Sequence, residues 1–537
     1  MKSRLVSLVS GLLLVITAIW VATPAPGWAQ ESKVKRLVFA SAGFDESNRF
    51  WTMSRPDHLQ YDPFLETLLE VDPKTSEYKP RLATKWSHSK DFLEWTFELR
   101  KGVQFHNGWG EFTSADVKHV HSLLVRPDST ATLAPLWRQV EEVRTPDKYT
   151  VVFRFKRPVT SLLFGAARSG DLRIVSKAQW DKEGLEGWEK NPAGTGVYEY
   201  AGRKPGLSIT FKRSKMKHWS GIQPSFEELE FRITREEATR LALLLSGEAH
   251  IGDLPRELHK DALSKGLKRF QSSAPVDWVS IYLGGQYYMP GDKAFKKEVP
   301  WTDKRVRQAL NIAIDRKEML ATVFAGRATL AALSAWQPQD EGWNPKWESR
   351  FNELYAYNPK KARELLKEAG YGPGQLKLKI WAFTSPGESE GPLIADALGV
   401  YFKNVGVDAQ IEILDWSKIR EGFRKKTIHC CLWPNIIGWR PAEDAIRTFY
   451  YSQGNNHHYE SEFIDKNYLA WTQTVDAKER TKYARAIGDH LLEEFADIPL
   501  FWFSNEVFAN SKVVGSWVYP GMAAGRSTHF ELVRPPK

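Results

Sequence analysis

Residues 81–120 read RLATKWSHSKDFLEWTFELRKGVQFHNGWGEFTSADVKHV, and this stretch restricts the possible folds more than any other. Residues 93–99 alternate apolar and polar side chains, the period-2 pattern of a strand with one buried face. Arg100-Lys101-Gly102 follows as a turn, residues 103–105 read as a second short strand, and Asn107-Gly108 is a turn dipeptide. Thr113 and Asp116 stand at the spacing of a capping box, with Asp in place of Glu, ahead of a helical run. The predicted order is strand, turn, strand, loop, helix start.

The same reading gives strands at 35–40, 150–155, 250–253, 279–283, 405–413 and 498–502. It gives helical patterns at 64–70, 235–245 (ended by Gly247) and 357–371 (Pro359 near the start, Gly370 at the end). Strands alternating with helices predict an α/β chain. A length of 537 residues predicts more than one domain, and no linker, repeat or low-complexity stretch separates them. Formal charge is +10, but it is spread over 75 basic and 65 acidic residues. The basic cluster at Lys212, Arg213, Lys215 and Lys217 is interrupted, so no nucleic-acid partner is expected.

Residues 1–29 stand apart. Lys2 and Arg4 precede an apolar run from Leu5 to Trp20, and Gly27-Trp28-Ala29 places small residues for cleavage before Gln30. That is the pattern of a secretory signal peptide. An uncleaved anchor is the alternative, because the run approaches spanning length. With no Cys nearby, lipid attachment there is not expected, and the mature chain is expected to be soluble and periplasmic. Cys430 and Cys431 are the two cysteines. Adjacent positions suit a strained bond poorly, so free, buried thiols in a strand are expected. His429 beside them does not make a metal site, since successive strand residues face opposite ways. No metal or other cofactor is expected.

Catalytic patterns are missing. There is no G-x-S-x-G and no H-E-x-x-H. The S-x-x-K spacings at Ser87–Lys90 and Ser214–Lys217 lack the companion motifs of penicillin-recognising enzymes. Asn191-Pro-Ala-Gly-Thr-Gly-Val-Tyr198 is read as a sharp loop feeding a strand rather than a phosphate cradle. A binding role is expected rather than an enzyme, with a periplasmic hydrolase as the remote alternative.

Several motifs carry a resemblance. Arg81-Leu-Ala83, Trp86, Trp95-Thr-Phe97, Leu99-Arg100, Gly102-Val103, Phe105-His106, Gly108, Phe112-Thr113 and Asp116-Val117 follow a block common in the family 5 extracellular solute-binding proteins, the peptide-binding receptors of bacterial import systems. Asn107 departs from the usual Asp, and Trp109-Gly110-Glu111 looks inserted. Residues 191–198, 301–315, 357–371, 405–413 and 498–502 resemble further family elements in the same order. The resemblance implies a two-lobed periplasmic-binding-protein fold of type II, α/β, with an extra subdomain inserted in the first lobe. By motif position the first lobe takes 30–60, 175–280 and 500–537, the inserted subdomain 61–174, and the second lobe 281–499. It implies a monomer that binds a small molecule or peptide and delivers it to the permease and ATPase subunits of an ABC importer. A sensory receptor of the same fold, without a transport partner, is the rival.

In peptide-binding relatives a "GWxADYxxP" loop supplies an Asp for the ligand's ammonium. Here the loop reads WPNIIGWRP, and the acid position falls on Ile437 or Gly438. Glu443 or Asp444 could replace it. The same region offers Trp416, Trp433 and Trp439 with Arg420 and Arg424 four apart, and Trp502 and Trp51 are further candidates. These residues lead to the expectation of a ring-containing or acidic ligand, such as an oligosaccharide or an amine-blocked peptide, in preference to free-amine peptides.

Overall fold

The computed structural model describes residues 32–44, 47–52, 59–72, 75, 77–383, 390–519 and 529–537. The expected signal peptide and its cleavage point lie outside the described residues. Among the described residues no helix is long and apolar enough to cross a membrane.

The alternating segment forms the strand Glu94–Leu99, with Trp95, Phe97 and Leu99 inward. It lies in an antiparallel sheet ordered Ala83–His88, Glu94–Leu99, Thr150–Phe155, Val140–Asp147. Thr113 and Asp116 form the capping box: the Thr113 N–H donates to Asp116 Oδ2 at 2.8 Å and the helix Ser114–Leu124 follows.

The second strand expected at 103–105 is reduced to a single bridge between Gln104 and Glu111. His106 has another task. Its Nε2–H donates to the Gly196 carbonyl at 2.7 Å, its Nδ1 accepts from the Gly194 N–H at 3.3 Å, and its own N–H donates to Gly194 O at 2.9 Å. A Cβ on Gly194 would overlap the Phe64 carbonyl oxygen, and one on Gly196 would lie 2.6 Å from the Pro63 carbonyl oxygen. The glycines therefore serve close backbone approach, and the buried histidine ties the inserted segment to the loop before the strand Tyr198–Lys204.

The helix expected at 64–70 does not form. The chain turns at Tyr61–Phe64, and Leu69–Val71 is a strand paired with Tyr78–Pro80. The apolar spacing misleads because this segment is covered on every side: Leu65, Glu66, Thr67, Leu68 and Leu69 are all buried. Glu66 is satisfied by Arg81 Nε at 2.9 Å, Thr195 Oγ1 at 2.8 Å and the Trp219 indole.

A mixed sheet, ordered Leu267–Gln271, Glu506–Asn510, Ile251–Gly252, Arg36–Ser41, Glu228–Ile233, Ser208–Arg213, Tyr198–Lys204, organises the first lobe. Another organises the second: Thr329–Leu330, Ile498–Phe503, Asp277–Leu283, Cys431–Gly438, Lys377–Ala382, Asp408–Ile413. Two chain crossings join them, before Asp277 and between Phe503 and Glu506. The boundaries expected at 280 and 500 thus fall inside strands whose whole length pairs within the second sheet. A division at the crossings follows hydrogen bonding, whereas motif position alone cannot locate it.

The central strands of the second sheet are buried on both faces, and the faces differ. Val279, Ile281, Leu283, Leu432 and Ile436 pack with Val306, Leu310, Leu365, Ile394, Leu398 and Phe402 in an aliphatic core. Trp278, Tyr282, Trp433, Ile437 and Trp502 point the other way, into a largely aromatic core continuous with those of the first lobe and inserted subdomain. Strands covered on both sides read as near-continuous apolar runs, and Asp277–Leu283 is buried throughout, with Ser280 as the polar residue inside its apolar stretch.

The cysteines correct the sequence reading. Cys430 is bonded to Cys431, Cys430 exposed and Cys431 buried. Cys431 is the first residue of its strand, so the alternation that would separate the two side chains does not extend back to Cys430. Among the described residues no group of three or more His, Cys, Asp or Glu is placed to hold a metal ion.

Candidate ligand-binding site

After the strand Cys431–Gly438 the chain passes Trp439 and Arg440, and Pro441 precedes the helix Ala442–Phe449. Pro441 fixes an extended backbone at the helix entry. Glu443 and Asp444 then occupy the first turn, where the helix dipole favours negative charge. The two acids part company. Asp444 is buried between Arg440, at 3.1 Å, and Arg447. Glu443 faces the inserted subdomain and accepts from Thr160 Oγ1 at 2.6 Å and Ser161 Oγ at 3.0 Å.

Arg480, on the helix Ala477–Glu493, completes the junction. Its guanidinium grips Glu341 through Nε at 2.8 Å and Nη2 at 2.7 Å, and Nη2 also reaches Glu443 at 3.1 Å and Thr160 Oγ1 at 2.8 Å. Burial works against its charge, but hydrogen bonding to Glu341 and the field of Glu443 and Glu341 prevail and raise its pKa. The Phe164 ring meets Trp439 edge-on at 6.1 Å.

Between these groups lies a cavity of about 410 Å³. Thr160, Ser161, Phe164, Phe92 and Tyr78 wall it from the inserted subdomain. Trp439, Pro441, Glu443, Asp340, Glu341 and Arg480 wall it from the second lobe. The volume falls in the range of small-molecule sites, roughly 300–1,000 Å³, and so does the character of an apolar wall with few polar groups.

The sequence-predicted residues are dispersed around it. Trp439 lines the cavity. Trp416 begins the helix Trp416–Arg424, half-buried and stacked on Phe383 at 4.6 Å. On that helix Arg420 Nη2 donates to the Thr130 carbonyl at 3.2 Å, while Arg424 Nε reaches Asn456 Oδ1 at 3.4 Å. Burial, then the nearby Arg420, lowers the Arg424 pKa to about 9. Neither arginine is in the cavity wall.

Trp433 has no exposed surface and packs with Phe423, Tyr282 and His458 on the aromatic sheet face. Trp502 packs on Trp278 at 5.0 Å. Trp51 is fully enclosed by Phe50, Trp180 and Trp188. In this arrangement Trp433 and Trp51 are core residues with no face left for a ligand.

Sequence reasoning missed Thr160, Ser161, Phe164, Asp340, Glu341 and Arg480. Thr160 and Arg480 are 320 positions apart, and only the tertiary fold joins them. Glu443 carried a local signal, an acid two residues after a helix-starting proline.

The family model described as "Bacterial extracellular solute-binding proteins, family 5 Middle" matches residues 77–457. The glutathione-binding protein GsiB of Salmonella typhimurium (strain LT2) is 26% identical over 475 residues, spanning 85% of this chain and 86% of that protein. Among solved structures, the periplasmic binding protein DppA of Helicobacter pylori, in complex with the peptide STSA, superposes with a TM-score of 0.78 at 21% identity, covering 94% of this chain and 98% of that one. AgaA of A. tumefaciens R10, in complex with agropinic acid, gives 0.76 at 21%, covering 93% and 98%. These structures share the two-lobed type II fold. With the family model matching well over half its length, the chain belongs to family 5 of the bacterial extracellular solute-binding proteins.

Proposed function

We propose that this protein captures a small peptide-like solute in the periplasm, in the cavity between inserted subdomain and second lobe, and presents it as a monomer to the permease and ATPase of an ABC importer. The observation that carries the reading is the junction itself. Glu443, Arg480 and Thr160 close one side of a cavity of ligand size, and both bodies contribute to its wall. Capture then consists of closing two bodies on a ligand, a hinge motion whose closed form the membrane partner reads. Relatives bearing the names of glutathione- and peptide-binding proteins support a peptide-like solute, and the relative holding agropinic acid shows that the fold also takes other acids. The role is binding rather than catalysis, in keeping with the family.

The test is calorimetry of the mature protein with glutathione, di- and tripeptides, their N-acetylated forms and oligosaccharides. Binding of a peptide-like member, weakened at least about tenfold by Trp439→Ala in the way truncation of a central aromatic weakens interfaces, is the expected result. Binding that ignores Trp439 would place the ligand elsewhere.

A further inference from the structure

Asp340 lies in the cavity wall, on the loop that precedes the helix Lys346–Leu354. One carboxylate oxygen accepts the Gln337 backbone N–H at 2.7 Å, and the Trp439 side chain stands beside the carboxyl and favours its charged form. Both groups are neutral. The other charged groups of the wall are Glu341, Glu443 and Arg480, and they are engaged with one another. No Lys or His lines this cavity. Three carboxylates therefore face one guanidinium, and among the described residues the fold brings no cation to Asp340.

Burial raises the Asp340 pKa to about 7, against the pull of the Gln337 N–H and the neighbouring Trp439. An acid placed in a cavity wall without a counter-ion is costly to ionise, and an arriving cation removes that cost. Beside it stands the Trp439 ring, with Phe164, Phe92 and Tyr78 around the same space. Aromatic faces attract ammonium and guanidinium groups. Arg420 and Arg424, which favoured an acidic ligand in the sequence, lie outside this wall, and Arg480 is already bracketed by two carboxylates.

We propose that the cavity selects solutes bearing a cationic group, an ammonium or guanidinium, which pairs with Asp340 and lies against the Trp439 ring. Asp340 thus comes from a different segment, about a hundred residues before the Trp439 loop. The inference rests on the interlobe cavity being the ligand site.

The probes are short peptides, each prepared in three forms: with a free α-amine, with a permanently charged Nα-trimethyl group, and N-acetylated. Calorimetry is expected to rank the two cationic forms at least about tenfold above the acetylated one, an ordinary margin for a desolvated charge pair. Asp340→Asn should abolish that margin while leaving the acetylated form unchanged. For the trimethylated probe, affinity should rise with pH up to about 7, close to tenfold per unit, because Asp340 must ionise to pair. Glu341, Glu443 and Arg480, the charged groups facing it, are mutually paired. The proposal is overturned if no cationic form binds, if acetylated forms bind as well, or if Asp340→Asn changes nothing. Acetylated or anionic probes that bind and are lost with Trp439→Ala would refute the cation while keeping the cavity. Binding indifferent to both Trp439→Ala and Glu443→Ala would refute the cavity itself.

Discussion

Glu443 belongs to the second lobe, yet two of its hydrogen bonds go to Thr160 and Ser161 of the inserted subdomain. Hydrogen bonds to a charged acceptor contribute about 1.5–3 kcal/mol. Glu443→Ala is expected to lower stability by an amount in that range, read as a shift in the denaturant midpoint. Arg480 keeps Glu341, so the loss stays below that of a stranded buried charge. A loss below about 0.5 kcal/mol would mean the contact is solvated in solution.

Glu506, at the second chain crossing, shows the same logic as a function of pH. Burial would raise its pKa, but the His259 hydrogen bond and the charges of Arg256 and Arg327 hold it down at about 2. A depressed carboxylate contributes stability that is complete above its unfolded pKa of about 4.5 and lost as pH falls toward 2. The shift corresponds to on the order of 3 kcal/mol. Glu506→Gln should flatten the acid limb of the stability curve in that window, and an unchanged limb would refute the assignment. Residue-level legibility was uneven for a physical reason. Thr113 and Asp116 act on their own helix and could be read locally. Trp51, Trp433 and Arg420 have the right chemistry for ligands, but tertiary neighbours decide whether a ring or a guanidinium has a free face.

Among elements, the strand Asp277–Leu283 illustrates what a pattern can and cannot tell. Its residues read as a strand at 279–283, and in the fold Trp278, Ser280 and Tyr282 alternate with Val279, Ile281 and Leu283 across two buried faces. Which face meets helices and which meets the other lobe depends on residues hundreds of positions away. The segment 64–70 failed for a related reason, since helical spacing is informative only when one side is solvated. The edge strand Asp408–Ile413 is the opposite case, with Ile411 and Ile413 exposed. Ile281→Ala should therefore cost about 2–5 kcal/mol, as a fully buried truncation does. Ile413→Ala should change stability by no more than about 0.5 kcal/mol. Equal effects in chemical denaturation would contradict the assignment of core and edge.

For the whole molecule, the question is what holds the two bodies together around the cavity. Glu443, Arg480 and Thr160 form one junction, and Arg420 with the Thr130 carbonyl forms another. Arg420 is outside the cavity wall, so its role separates closure from recognition. A single hydrogen bond of this kind contributes about 0.5–1.5 kcal/mol. When a ligand binds only the closed form, apparent affinity scales with the fraction closed. Arg420→Ala should then increase the radius of gyration of the ligand-free protein in small-angle scattering. It should weaken every ligand by the same factor, about 2–10-fold, and saturating ligand should restore the compact profile. The ratio of affinities between cationic and acetylated probes should not move, because the residues that set it, Asp340 and Trp439, are untouched. A change in that ratio would show Arg420 touching the ligand, as its place in the sequence had suggested. An unchanged profile and affinity would show that the contact with Thr130 does not govern closure.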